Sequence, residues 1–208
     1  MVGIASVIEK EVAHDDHVPS VVAHARRVQR SGARMRRLVG DLVDVASIEA
    51  GMLAVTQSAG HPADVVTEAV ETFQAQASAS GISLSAEIVP GVTSFRFDSA
   101  RILQVLCNLL GNALKFTPAQ GCVVVRLEQV GGNVVCSVSD TGEGIPDDKL
   151  EAVFDRFVQL TKNDRRGVGL GLFISKCIVQ GHGGRIWVEN RMSGGSTFSF
   201  SLPADADR

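Results

Sequence analysis

The sequence predicts an α+β protein: helices layered on one mixed sheet in an α/β sandwich, preceded by an antiparallel helical hairpin. Three observations predict it. The first quarter of the chain carries apolar and small residues at heptad spacing. Beyond it, stretches with helical spacing of apolar residues are interleaved with stretches that alternate with period two. They do so without regular strand–helix–strand repetition, which favours helices on one side of a sheet over a doubly wound parallel fold. The expected division is residues 1–52 for the hairpin and 53–208 for the layered domain.

The elements follow in order. From Val21 onward, Ala25, Val28, Gly32, Met35, Val39, Leu42 and Ala46 fall at alternating steps of four and three, the seam of a helix that packs on other helices. Between them lie Arg26, Arg27, Arg30, Arg34, Arg36 and Arg37. A basic run can meet nucleic acid; with Asp41, Asp44 and Glu49 directly after it, the solvated face of a bundle helix is the better reading. Val2 to Val12 reads as a shorter first arm, and His14 to Pro19 as the turn, with Pro19 suited to a helix start. His61–Ser80 reads as a helix with Val65, Val66, Ala69, Val70 and Phe73 on one face. Ile82–Val89 reads as a strand and Ser99–Phe116 as a helix. Val123–Val130 and Val134–Ser139 flank Gly131-Gly132-Asn133, a hairpin signal. Val168–Gln180 reads as a helix, and Arg185–Glu189 and Thr197–Leu202 as the last strands. Phe198, Phe200 and Leu202 alternate with Ser199 and Ser201, as one buried face requires. Ala204–Arg208 is expected to fray.

Composition narrows the function classes. The 208 residues are 45% apolar and 21% charged, an ordinary globular balance, and the net charge of −3 argues against nucleic acid as the main partner. No stretch approaches the roughly 18 apolar residues of a membrane span, and no signal peptide opens the chain. Cys107, Cys122, Cys136 and Cys177 form no CxxC pair, so reduced thiols are expected. Together these point to a cytoplasmic location.

Four segments carry chemistry. In the first, Asn108, Asn112 and Lys115 are spaced four and three apart, so they share one polar face of an otherwise apolar helix. A carboxamide oxygen is a hard ligand suited to Mg²⁺, and lysine is a point charge for phosphate; a capping and surface arrangement is the alternative. The second is Asp140-Thr-Gly142-Glu-Gly144-Ile145-Pro146, directly after a strand. There a carboxylate can accept from an exocyclic amine, and glycines let the backbone approach a flat ring; it can also be a plain turn. In the third, Gly167, Gly169 and Gly171 open a helix whose N-terminal N–H groups suit an anion, although the spacing is not that of a P-loop. The fourth is Phe154-Asp-Arg156-Phe157 with the polar stretch Thr161–Arg166, which reads as a lid that closes over a nucleotide or as an ordinary surface loop.

The order of these segments resembles the sensor histidine kinases of the GHKL superfamily, over nearly all of residues 36–203. The likeness includes Asp98 and Gln104, Gly181-His-Gly-Gly184 before Arg185-Ile-Trp-Val, Gly195-Ser-Thr-Phe198, and Leu38–Gly51 as the end of a dimerisation helix. The resemblance implies that residues 53–208 form an ATP-binding catalytic domain. Asn112 would hold Mg²⁺ with Asn108 beside it, and Lys115 and Arg156 would face the phosphates. Asp140 would bind the adenine amine, with Gly142, Gly144, Ile145 and Thr197. Gly167, Gly169, Leu170, Gly171 and Leu172 would line the phosphate side. Implied partners are ATP, a response-regulator receiver domain, and a second copy through the hairpin.

Hydrolysing branches of that superfamily carry a glutamate four residues before the metal asparagine; here the position is Asn108, which is no base. The phosphoacceptor motif of the kinases is absent. His14 followed by Asp15-Asp16-His17-Val18-Pro19 only partly imitates it, His24 fits a solvated helix face, and His61 and His182 are expected to be structural. The acceptor histidine is therefore expected upstream of Met1, and the short first arm is expected to weaken dimerisation. Two further readings remain: a catalytically silent dimeric signalling scaffold, and a serine kinase of the anti-sigma type.

Overall fold

The computed structural model describes residues 18–159 and 168–204. The chain divides into two compact units, Met1–Ala46 and Ser47–Arg208, a few residues before the boundary expected at 52/53. Helix α1 (Val18–Glu49) carries every described residue of the first unit and begins one residue before Pro19. The expected first arm of the hairpin and its turn, with His14 and His17, lie outside the described residues. The seam side chains Val28, Met35, Val39 and Leu42 are exposed in the single chain.

The second unit is a two-layer sandwich. Its strands are β1 (Ser58–Gly60), β2 (Ser83–Ile88), β3 (Phe95–Phe97), β4 (Cys122–Val130), β5 (Asn133–Asp140), β6 (Arg185–Asn190) and β7 (Ser196–Pro203), and its helices are α2 (Pro62–Ala79), α3 (Ser99–Phe116) and α4 (Gly171–Gly181). Five strands form a sheet in the order β2-β4-β5-β7-β6, with β2 parallel to β4 and the other pairs antiparallel. The expected mixed sheet is there. β1 and β3 pair separately; neither was expected from the sequence.

Local chemistry explains the elements that position the site. Asp98 caps α3: its Oδ1 accepts from the Arg101 N–H at 3.0 Å. Ile102, Val105, Leu106, Leu109, Leu110, Ala113 and Leu114 are buried along the helix. Burying each of the larger ones contributes about 1.5–3 kcal/mol, so this stripe fixes how α3 rolls against the sheet and leaves its polar face to other work. On β5 the alternate residues Val134, Cys136, Val138 and Asp140 are buried. Asp140 thus occupies the next inward position after three apolar ones, where a carboxylate needs partners. α4 begins at Gly171, three residues later than expected: Val168 to Leu170 stay outside it, the backbone at Gly169 being left-handed (φ 79°). His182 is buried with both ring nitrogens engaged. Nδ1 lies 2.8 Å from the Ile178 carbonyl, and Nε2 accepts from the Asp98 N–H at 3.1 Å. The four cysteines are free thiols, Cys136 being buried.

Candidate nucleotide site

α3 is the hub that gathers the predicted segments. At its middle, the Asn108 Nδ2 donates to the Gly171 carbonyl at 3.2 Å and to Ser175 Oγ at 3.3 Å, which ties α3 to the first turn of α4. At its end, Phe116 meets the loop after β5: a Cβ on residue 142 would lie 2.5 Å from the Phe116 carbonyl oxygen, so only glycine fits at Gly142. Asn112 and Lys115, half-buried, lie on α3 between these two junctions. No described residue engages the Asn112 carboxamide. The Lys115 ammonium lies 4.7 Å from the Phe116 ring centroid.

Asp140 is 4% exposed, and its carboxylate is held from two sides. Oδ1 accepts from the Gly142 N–H at 2.8 Å and, at longer range, from the Ser196 N–H at 3.4 Å; Oδ2 accepts from the Ser196 hydroxyl at 2.6 Å. The hydroxyl beside Asp140 is therefore that of Ser196, not Thr197. Thr197 pairs with Ser139 in the β5–β7 register, and the two hydroxyls are 2.9 Å apart. Strand alternation puts both on the face opposite Asp140. Ile145 is buried, and its N–H donates to Asn190 Oδ1 at 2.9 Å.

On the other side, Leu170 is buried, and Gly171 and Leu172 open α4 with no side-chain cap. The first-turn N–H groups thus keep their capacity for an anion. Gly167 and the stretch Thr161–Arg166 lie outside the described residues. The Arg156 guanidinium pairs with the Glu49 carboxylate and lies 4.5 Å from the Phe173 ring centroid. Phe154 anchors this segment edge-on against Phe198 of β7, at 6.1 Å between centroids. Phe157 is exposed in a left-handed conformation (φ 63°), its N–H donating to the Gly169 carbonyl at 2.9 Å.

Sequence reasoning missed Ser196, Asn190 and Arg191 as parts of this arrangement. Only the Gly195-Ser-Thr-Phe198 run pointed near them.

The two-layer sandwich thus brings together a buried acceptor at one sheet end, a polar helix face and an uncapped helix N-terminus. The chain belongs to the histidine kinase-, DNA gyrase B- and HSP90-like ATPase family, whose model matches residues 97–206, more than half of the chain. It is similar to the circadian input-output histidine kinase CikA of Synechococcus elongatus, at 36% identity over 185 residues, covering 86% of this chain and 24% of the relative. Among solved structures it resembles the catalytic domain of histidine kinase ThkA (31% identity, TM-score 0.65, 72% of this chain and 98% of that one). It also resembles full-length ShkA in complex with AMPPNP (28% identity, TM-score 0.78, 99% of this chain and 42% of that one). The chain spans less than half the length of the curated relatives it matches. No helix among the described residues is long and apolar enough to cross a membrane.

Proposed function

We propose that this chain binds ATP with Mg²⁺ and aims the γ-phosphate at a histidine side chain, as the catalytic part of a two-component sensor histidine kinase. One observation carries the reading: the buried Asp140 carboxylate. A carboxylate offers about four acceptor directions. Gly142 N–H, Ser196 N–H and Ser196 O–H fill three, which leaves one for an exocyclic amine of adenine. Gly142 and Gly144 let the loop pack closely on Phe116 and Asn190 beside Asp140, and Ile145 would offer the ring an apolar wall.

The phosphate end follows from α3 and α4. The Asn112 carboxamide, unengaged by any described residue, fits a hard cation and would hold Mg²⁺ through its oxygen. When bound, Mg²⁺ offsets charge on the phosphate oxygens. Lys115 adds a positive charge on the same helix face. Gly169, Leu170, Gly171 and Leu172 would bring the α4 N-terminus to the phosphates. Arg156 would have to leave Glu49 to reach a phosphate. Asn108 cannot take a proton from water, and its amide already donates to Gly171 and Ser175; this favours transfer to protein over hydrolysis. Transfer to imidazole breaks the bond from the γ-phosphorus to its bridging oxygen, forms a phosphorus–nitrogen bond and releases ADP. A response-regulator receiver domain then takes the phosphoryl group. The exposed seam of α1 supports pairing with a second copy.

The test is to incubate the chain with γ-labelled ATP, Mg²⁺ and a separately supplied helical hairpin carrying an acceptor histidine. Acid-labile label on the hairpin is expected, and Asp140→Asn should weaken ATP binding at least about 100-fold in calorimetry. Unchanged binding by that variant rejects the site. Free phosphate without labelled protein would make the chain a hydrolase, and acid-stable phosphoserine on a partner would make it a serine kinase.

A further inference from the structure

The base end of the site is held by residues outside the set proposed above to contact the nucleotide. Asp140 ends β5, and the following loop must carry Gly142, Gly144 and Ile145 without a strand to support it. Both ends of that loop are gripped from the end of β6. At one end, the Arg191 guanidinium donates to the Asp140 carbonyl at 2.8 Å. At the other, Asn190 Oδ1 accepts from the Ile145 N–H at 2.9 Å, while its Nδ2 donates to the Ile145 carbonyl at 2.6 Å and to Asp147 Oδ1 at 3.0 Å. This two-point pairing of a carboxamide with the N–H and carbonyl of one residue imitates one rung of a β-ladder, made by a side chain.

The turn that follows closes tightly on the same carboxylate. Arg191 N–H donates to the Gly195 carbonyl and Gly194 N–H to the Arg191 carbonyl, both at 3.0 Å. Gly195 lies so close to β5 that a Cβ there would sit 2.1 Å from the Asp140 carbonyl oxygen, at a φ of 87°. That closeness delivers the Ser196 hydroxyl to Asp140.

We propose that Asn190 and Arg191 are positioning residues that fix the purine end of the site and set its preference for adenine over guanine. The inference rests on the ATP reading above. Adenine presents an amine where guanine presents a carbonyl. A carboxylate locked in place accepts from the first and repels the second, because the guanine carbonyl oxygen would face a carboxylate oxygen with no proton between them in a buried site. A carboxylate on a loop free to recede loses that penalty before it loses all affinity. Asn190 is exposed and Arg191 half-buried, so replacing them removes these hydrogen bonds with little packing.

The test is calorimetric titration of the full chain with Mg-ATP and Mg-GTP, for the wild type, Asn190→Ala, Arg191→Ala and Arg191→Lys. The wild type should prefer ATP by at least about 100-fold. Asn190→Ala and Arg191→Ala should each narrow that ratio by about tenfold, mainly through weaker ATP binding. Arg191→Lys, which keeps a donor, should recover most of it. A parallel loss of affinity for both nucleotides, with the ratio intact, marks a merely structural role and overturns the inference; so do variants indistinguishable from the wild type. If Arg191→Ala unfolds, the ratios of Asn190→Ala and Arg191→Lys decide in the same way. A wild type that binds neither nucleotide overturns the ATP reading and this inference together. A wild type that prefers ATP, beside variants that keep its ratio, overturns this inference alone.

Discussion

The two ends of the candidate site are built differently. At the base end the Asp140 carboxylate has three protein donors, and Asn190, Arg191 and Gly195 brace the loop around it. At the phosphate end no described residue engages the Asn112 carboxamide, and the first turn of α4 has no side-chain cap. The base end holds a braced carboxylate with one acceptor direction left; the phosphate end has donors and an acceptor that a metal–phosphate group would satisfy. The contrast suits the proposed chemistry: a base serves as a fixed handle, while the phosphates must change partners as the γ-phosphoryl group leaves. It also teaches that stability and function separate here. Substitutions at the base end should harm both, and those at the phosphate end should harm function alone.

The largest effect on stability should come from Gly195→Ala. The added methyl meets the Asp140 carbonyl and the backbone is left-handed, so about 3 kcal/mol of stability should be lost in urea denaturation, together with ATP binding. A change below about 1 kcal/mol would mean that the base end is less rigid than its contacts imply. Asn112→Ala should leave stability within about 0.5 kcal/mol while lowering phosphotransfer about 100-fold in Mg²⁺. Its ATP affinity in EDTA should match the wild type, and a large loss there would remove Asn112 from the metal role. Glu49→Gln should change stability by about 0–1 kcal/mol, because the Arg156 pair is largely exposed. A rise in phosphotransfer would show Arg156 released toward the phosphates. The smallest effect at neutral pH concerns Cys136, inward-facing on β5. Burial pushes its thiol up to about 12 from 9.0. The unfolded thiol ionises first as pH rises, so this contribution is fully present below about pH 9 and is lost between there and about pH 12. Cys136→Ala should flatten that part of the stability–pH curve, measured by denaturation at each pH.

Much of the fold was legible because local signals agreed. Ser99–Phe116 is a helix to the residue, since Asp98 caps it, the apolar stripe has one period and Pro118 stops it. β4 and β5 follow from alternation around a glycine pair. β1 and β3 were not legible: three residues each, paired across nearly forty positions, they have no period of their own. The start of α4 was misread because Val168 and Leu170 look like helix residues, whereas the Gly169 backbone turns left-handed. In the candidate site, the residue types with intrinsic chemistry that the sequence offers as candidates are Asn108, Asn112, Lys115 and Asp140. Asn190, Arg191 and Ser196 were not legible, because each acts only through hydrogen bonds that exist once the β6–β7 turn closes on β5. The pairing of Arg156 was not legible for a related reason. A charge can be read from sequence, but its partner Glu49, 107 residues away, cannot.

Amide hydrogen exchange with and without Mg-ATP tests the contrast between the two ends most directly. The account predicts that the Gly142 and Ile145 amides, held by Asp140 and Asn190, are already protected in the free chain and gain little from nucleotide. The Leu172 and Phe173 amides, in the uncapped first turn of α4, should exchange freely and slow only when Mg-ATP is added. Free exchange at Gly142 and Ile145 that nucleotide suppresses would contradict it, because the base end would then be assembled by the ligand rather than waiting for it.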